Sequence, residues 1–124
     1  MKDEIVAIVI LCVLVGVFIF NSHMVETKTE KLLSALGEIE DDVKGGKYSK
    51  KDVATFEKLW NREKKELLYF YPHGNIRQID ECVRFMRDYA GTEKPDRVMY
   101  YLRKARHHIH DIAEREKIRL DNIF

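Results

Sequence analysis

Cysteine is scarce in this chain, which has two in 124 residues. Cys12 lies inside an apolar N-terminal run, and Cys82 is alone in the remaining sequence. Two cysteines placed in this way exclude a disulfide framework, and neither has the neighbours that a zinc finger requires. Cys82 is therefore predicted to be a small buried hydrophobic side chain rather than a redox group.

The chain also lacks an excess of either charge, since 22 Lys and Arg stand against 21 Asp and Glu. Proteins that bind nucleic acid usually carry a strongly basic domain or a basic stripe, so the balance argues against that class. It also argues against an acidic solvating tail. Charged residues nevertheless make up 35% of the sequence, and most follow the first twenty positions. This distribution is typical of long helices with solvated outer faces.

The most apolar part of the chain is the run from Ile5 to Phe20, IVAIVILCVLVGVFIF, which has neither a charge nor an amide. As a helix it would span about 24 Å, close to a bilayer core of roughly 30 Å once flanking residues enter the headgroup layer. No small-x-small cleavage site follows the run, and no small residues precede Cys12 as a lipoprotein would need. Residues 1–22 are therefore predicted to be an uncleaved single-pass transmembrane anchor in the cell membrane, which contacts the lipid bilayer through Ile5 to Phe20.

The orientation of this anchor depends on the positive charges on its two sides. The α-amine and Lys2 precede it, Lys28 and Lys31 follow it, and Asp3 and Glu4 weaken the contrast. The interpretation adopted is a short N-terminal tail in the cytoplasm and an extracytoplasmic C-terminal domain.

After the anchor, apolar residues recur at alternating steps of three and four, the pattern of amphipathic helices rather than strands. Four such stripes with short links predict an all-α domain over residues 23–124, a small antiparallel four-helix bundle made of two helical hairpins. The stripes are Leu32, Leu36, Ile39 and Val43; Val53, Phe56, Trp60 and Leu67; Ile76, Ile79, Val83, Met86 and Ala90; and Val98, Leu102, Ala105, Ile109 and Ile112.

Glycines, prolines and short polar residues mark the helix ends. The prediction places Gly45-Gly46 at the end of the first helix, Ser49 as cap of the second, a turn at Pro72 with Asn75 as cap of the third, and Thr92 with Pro95 at the start of the fourth.

The first stripe extends backwards through Ser22 to Phe18 at the same spacing. No glycine or proline lies between Asn21 and Leu36. The anchor and the first helix of the domain are therefore predicted to form one continuous helix.

The run His107-His108-Ile109-His110-Asp111 is the one candidate for metal binding. His107 lies one helical turn from Asp111 and three residues from His110, so either pair could hold a zinc or nickel ion. A metal site needs three or more ligands, however, and one exposed helix face supplies two. A solvated face is the favoured interpretation, with a weak metal site or a pH-responsive contact surface as alternatives. No catalytic residue, cofactor-binding residue or cofactor is predicted.

The aromatic residues invite a structural interpretation. Trp60 lies on the second stripe and is predicted to be part of the core. Tyr69-Phe70-Tyr71 is too crowded to be wholly buried, so core packing with partial exposure is expected, and contact with a partner or with the membrane is the alternative.

The arrangement resembles a known family. Its most specific elements are the neighbourhood of Trp60 in the second helix, the segment His73-x-x-Ile76-x-x-Ile79-Asp80, and the ending Leu120-Asp121-Asn122-Ile123-Phe124. These features are similar to the bacterial domain-of-unknown-function family 4363. The resemblance covers nearly the whole chain and implies a small membrane-anchored helical protein with no assigned activity.

The anchor, the balanced charge and the absence of a catalytic motif favour a non-enzymatic, membrane-tethered module that binds another, unidentified protein. The alternative from a different class is a metal- or small-ligand-sensing bundle that uses His107, His110 and Asp111. Nucleic acid is not expected as a partner.

Overall fold

The computed structural model describes residues 1–46, 50–69, 71, 73–92 and 94–123, without the side chains of His73 and Ile123. Over these residues the chain forms four helices and no strand: α1 (Lys2–Lys44), α2 (Lys50–Leu67), α3 (His73–Ala90) and α4 (Pro95–Ile123). The predicted all-α fold is confirmed. The predicted cap at Ser49 and turn residue Pro72 lie outside the described residues, as does Phe70.

α1 is a single helix of 43 residues, which confirms the prediction of one continuous helix. Its buried face keeps a spacing of three and four residues, the repeat of a coiled-coil seam, so one face stays turned toward the bundle over many turns. The helix ends at Lys44, directly before Gly45-Gly46, as predicted. Gly46 has a φ of 71°, a backbone conformation that favours glycine. The buried residues of α1 are Ser22, Val25, Thr29, Leu32, Leu36 and Ile39.

The helices form a ring in which α1 packs against α2 and α4, and α3 packs against the same two helices. Two side-chain contacts show that α1 and α4 are antiparallel. Ser22 near the beginning of the bundle bonds to Glu116 near the end of α4, and Glu40 pairs with Arg106 further back along α4. We call the end of the bundle that holds Ser22 and Glu116 the base.

The four predicted stripes make the core. Every member is buried except Val43, which is partly buried. The fully buried Trp60 and Phe56 are its largest side chains. Cys82 is 3% exposed. The predicted burial of Trp60 and of Cys82 is therefore confirmed. Tyr71 is buried whereas Tyr69 is exposed, which confirms mixed burial for these two members of the aromatic run.

The apolar segment Ile5–Phe20 is not covered by the bundle. Val15 and Phe18 are partly covered, and the other residues of the segment are exposed. α1 is long and apolar enough to cross a membrane by length and composition. Its exposure distinguishes the segment from the core helix of a globular domain, whose apolar side chains would be buried.

Two predicted caps need correction. α3 begins at His73, so Asn75 lies inside its first turn and is not the N-cap; its buried amide nitrogen has no hydrogen-bond partner. Thr92 does not open α4 either, because its hydroxyl donates to the carbonyl of Tyr89 at 2.7 Å and so binds the end of α3. Pro95 is the first residue of α4, as predicted; proline fits there because the first turn needs no amide donor.

Candidate partner-binding surface

Four aromatic side chains form a cluster where α3 and α4 pack together. Phe85 and Tyr89 lie one turn apart on α3, and Tyr100 and Tyr101 lie near the start of α4. The rings of Phe85 and Tyr89 both stack on Tyr101, with centroid distances of 4.8 and 5.8 Å, and Tyr100 meets Tyr101 edge-on at 5.0 Å. We call these four residues the aromatic cluster.

The aromatic cluster lies beside the core rather than within it. Its positions flank the buried stripes of both helices, so the rings cover the edge of the core and still face solvent. Phe85 is 37% exposed and Tyr100 58% exposed, and the guanidinium of Arg84 lies over the Phe85 ring, 5.8 Å from its centroid. Exposed, pre-packed rings with a nearby cation are typical of protein interfaces, where Tyr, Phe and Arg are enriched.

A cleft of about 220 Å³ adjoins the aromatic cluster between α3 and α4. Phe85, Tyr101 and Cys82 give it an apolar wall. Its polar wall supplies a carboxylate, an ammonium, an amide and an imidazole, from Glu81, Lys104, Gln78 and His108.

Two titratable groups of the cleft, His108 and Cys82, favour their neutral forms. Partial burial lowers the pKa of His108, and the neighbouring His107 and Lys104 lower it further. Burial raises the pKa of the Cys82 thiol, so at neutral pH this side chain is a thiol rather than a nucleophilic thiolate. The cleft can therefore offer hydrogen bonds and aromatic surface to a bound side chain.

The predicted metal candidates lie outside this cleft. His110 faces Glu114 at 3.7 Å, and Asp111 pairs with Arg115 at 3.2 Å. His107 is exposed and meets the ring of His108 edge-on at 5.7 Å. Within the described ranges no group of three or more His, Cys, Asp or Glu is placed to hold a metal ion. Metal binding by His107, His110 and Asp111 stays a prediction that the arrangement of these side chains does not favour.

A buried carboxylate joins three parts of the chain at the base. Glu116 is 5% exposed and accepts hydrogen bonds of 2.5 Å from the hydroxyls of Ser22 and Tyr71. Arg119 lies one turn further along α4, 3.5 Å from the same carboxylate. Burial raises the pKa of Tyr71 well above its ordinary value, and the bond to Glu116 raises it further. The phenol therefore stays a donor at any physiological pH.

A second buried carboxylate, Glu63, ties α2 to α1. It is 5% exposed and accepts from Lys28, with Lys31 at 3.5 Å. Burial alone would raise the pKa of Glu63, but Lys28, with Lys31 and Arg62, outweighs burial and holds the pKa below its ordinary value. Burial likewise opposes the charge on Lys28, yet Glu63 and Glu66 raise its pKa above the usual range. Glu63 and Glu116 thus fix α1 from two sides just beyond the apolar segment.

Together these features define a class of protein: an all-helical bundle built on one long helix whose first half is apolar and exposed. The chain belongs to the family described as domain of unknown function DUF4363, which it matches over residues 19–123. The expected family is therefore confirmed. No curated protein and no solved structure matches the chain.

Two of the family-like elements meet in the structure. Trp60 donates from its indole nitrogen to Asp80 at 2.6 Å, which connects the tryptophan of α2 to the last residue of the His73–Asp80 segment.

Proposed function

We propose that this protein is a membrane-tethered, non-enzymatic helical module that binds another protein through the aromatic cluster. The main observation that supports this proposal is the stack of Phe85, Tyr89 and Tyr101, with Tyr100 at its edge, which is open to solvent. Ring stacking holds these side chains in place before binding, so little rotamer entropy is lost when a partner covers them.

The tether is supported by the apolar segment Ile5–Phe20. Its side chains are mostly exposed, and an apolar surface of this size on a soluble monomer would drive aggregation. Lipid is the natural cover for a run of this length. In this proposal the protein is a single-pass protein of the cell membrane, with its C-terminal bundle extracytoplasmic.

The polar border of the aromatic cluster supports a protein as partner. Arg84 lies on one side, and the cleft with Glu81, Lys104 and His108 on the other. An apolar centre with a charged border is the usual anatomy of a protein interface. The cleft is small and suits a single inserted side chain better than a separate ligand.

Site-specific photocrosslinking in native membranes tests the binding surface. A benzophenone side chain at position 100 should give a discrete crosslinked species, and Phe85→Ala in the same chain should reduce its yield at least fivefold. The matched control carries the benzophenone at position 58, where Lys58 is exposed on α2, the helix diagonal to α4. Equal patterns from positions 58 and 100, or no adduct from either, would count against the proposal.

The proposed orientation has its own test. Two fusions are made after Phe124, one with a reporter that is active only in the cytoplasm and one with a reporter that is active only outside it. The extracytoplasmic reporter is expected to be active. Activity of the cytoplasmic reporter alone would reverse the orientation.

A further inference from the structure

α4 extends beyond the base, because it continues for seven residues after Glu116. Ser22 of α1 faces Glu116, and one turn closer to the N-terminus Phe18 faces Arg119, whose guanidinium lies 5.3 Å from the ring centroid. The two helices are antiparallel here, so each step along α4 moves deeper alongside the apolar segment. α4 continues past Arg119 to Ile123, which adds about 6 Å at 1.5 Å per residue.

The covering of the apolar segment agrees with this register. Val15 and Phe18 are its two partly covered residues, and they lie on the seam that carries Ser22 and Val25 further along α1. Any layer that surrounds the apolar segment up to Phe20 therefore also meets the end of α4.

The side chains at this end of α4 suit the boundary between lipid headgroups and acyl chains. Ile118 is 56% exposed, although it follows the buried Glu116 by two residues. Lys117 is exposed, and the side chain of Arg119 is 46% exposed. An apolar residue flanked by long basic side chains is typical of helices at the membrane interface, because the stems stay in the apolar layer while the charges reach the phosphates.

We infer that the end of α4, from Lys117 to Ile123, is a second membrane contact, in which Ile118 enters the acyl boundary and Lys117 and Arg119 bind phospholipid phosphates. This inference rests on the proposed membrane span. It goes beyond it, because a single-pass anchor alone requires no contact between α4 and lipid. The contact would hold the bundle at two points and fix its rotation about α1.

Spin labels on the full chain in phospholipid vesicles test this contact. In a Cys12→Ser, Cys82→Ala background, single cysteines at positions 118, 100 and 9 each carry a nitroxide, and collision with oxygen and with a water-soluble nickel chelate is measured. Position 100 is the matched control, because Tyr100 and Ile118 lie on the same helix and are 58% and 56% exposed. Position 9 reports on the span. Circular dichroism verifies that each labelled chain is folded.

The expected result is a label at 118 that is shielded from the nickel chelate at least threefold more than the label at 100, and a label at 9 that is shielded most. If 9 is shielded and 118 matches 100, the span is present and the α4 contact is wrong. If 9 is as accessible as 100, the span itself is absent and the proposed function fails with it.

Discussion

The indole nitrogen of Trp60 donates to a carboxylate oxygen of Asp80 at 2.6 Å, and this bond joins α2 to α3. Trp60 is fully buried, whereas the Asp80 side chain is 41% exposed and also pairs with Lys64 at 3.1 Å. One carboxylate therefore closes the core over its largest side chain.

Replacing Asp80 should show how much this bond contributes to the free energy of unfolding. We expect Asp80→Ala to lower the free energy of unfolding by about 1–2 kcal/mol, because the indole N–H loses its acceptor, and Asp80→Asn to cost less, because an acceptor remains. Trp60→Ala should cost about 3–5 kcal/mol through the cavity that it leaves. Urea unfolding in detergent, followed by circular dichroism, measures each value. Lys64→Ala is the control for the ion pair alone and should cost less than about 1 kcal/mol; a larger loss would assign the effect to Lys64.

The Lys28–Glu63 pair should control stability at the extremes of pH. The pKa of Glu63 is lowered, so its contribution is complete above its ordinary value of about 4.5 and is lost as the pH falls through the folded-state pKa. The pKa of Lys28 is raised, so its contribution is complete below about 10.5 and is lost as the pH rises through the folded-state value. Glu63→Gln should cost on the order of 2 kcal/mol at pH 7 and flatten the acid limb of the stability profile.

Glu66→Gln is the control for that experiment. Glu66 also pairs with Lys28, at 2.9 Å, but its side chain is 51% exposed. Its replacement should change stability by less than about 1 kcal/mol and leave the acid limb in place. Equal effects of the two substitutions would show that burial of Glu63 does not set its contribution.

Gly46 and Gly37 should respond to alanine in opposite directions. Gly46 has a φ of 71°, which costs an alanine about 1 kcal/mol or more, so Gly46→Ala should destabilise the bundle. Gly37 lies inside α1 with open space where a Cβ would be, and Gly37→Ala should stabilise the helix by up to about 1 kcal/mol. Chemical unfolding of the two variants under identical conditions provides the comparison. A stabilising Gly46→Ala would contradict the turn at Gly46, and a destabilising Gly37→Ala would contradict the open space beside Gly37.

The Cys82 thiol should be inert while the bundle is folded. It is 3% exposed and its pKa is raised by burial, so little thiolate forms and reagent cannot reach it. In a Cys12→Ser chain at pH 8, we expect iodoacetamide to modify Cys82 at least a hundredfold more slowly without urea than in denaturing urea. Mass spectrometry follows the product. Rapid modification of the folded chain would mean that α3 opens locally.

Periodicity along the chain was sufficient to predict the four helices, the continuous α1 and almost all of the core. It could not identify the buried carboxylates. Glu63 lies between Trp60 and Leu67 at the spacing of the second stripe, but a charged residue gives no sign of burial there; Lys28 of another helix makes its burial tolerable. Ser22 and Glu116 are separated by 94 residues, so neither position carries a local signal that the other exists.

The aromatic cluster was missed for a related reason. Phe85 and Tyr89 are one turn apart, which is visible in the sequence, but both lie beside the stripe that predicts the core. Tyr100 and Tyr101 are adjacent, and neither belongs to the stripe that predicts the buried face of α4. Only the packing of α3 on α4 brings the four rings together.

The unbroken course of α1 leaves no hinge between the apolar segment and the bundle. With that segment in a bilayer, a rotation of the span turns the whole bundle through the same angle. The stretch of α4 from Glu116 back to Tyr101 would then act as a spacer that holds the aromatic rings about 22 Å above the base. A partner could engage them only at that height, so the length of a helix, as much as the chemistry of the rings, would select which neighbours in the membrane can bind.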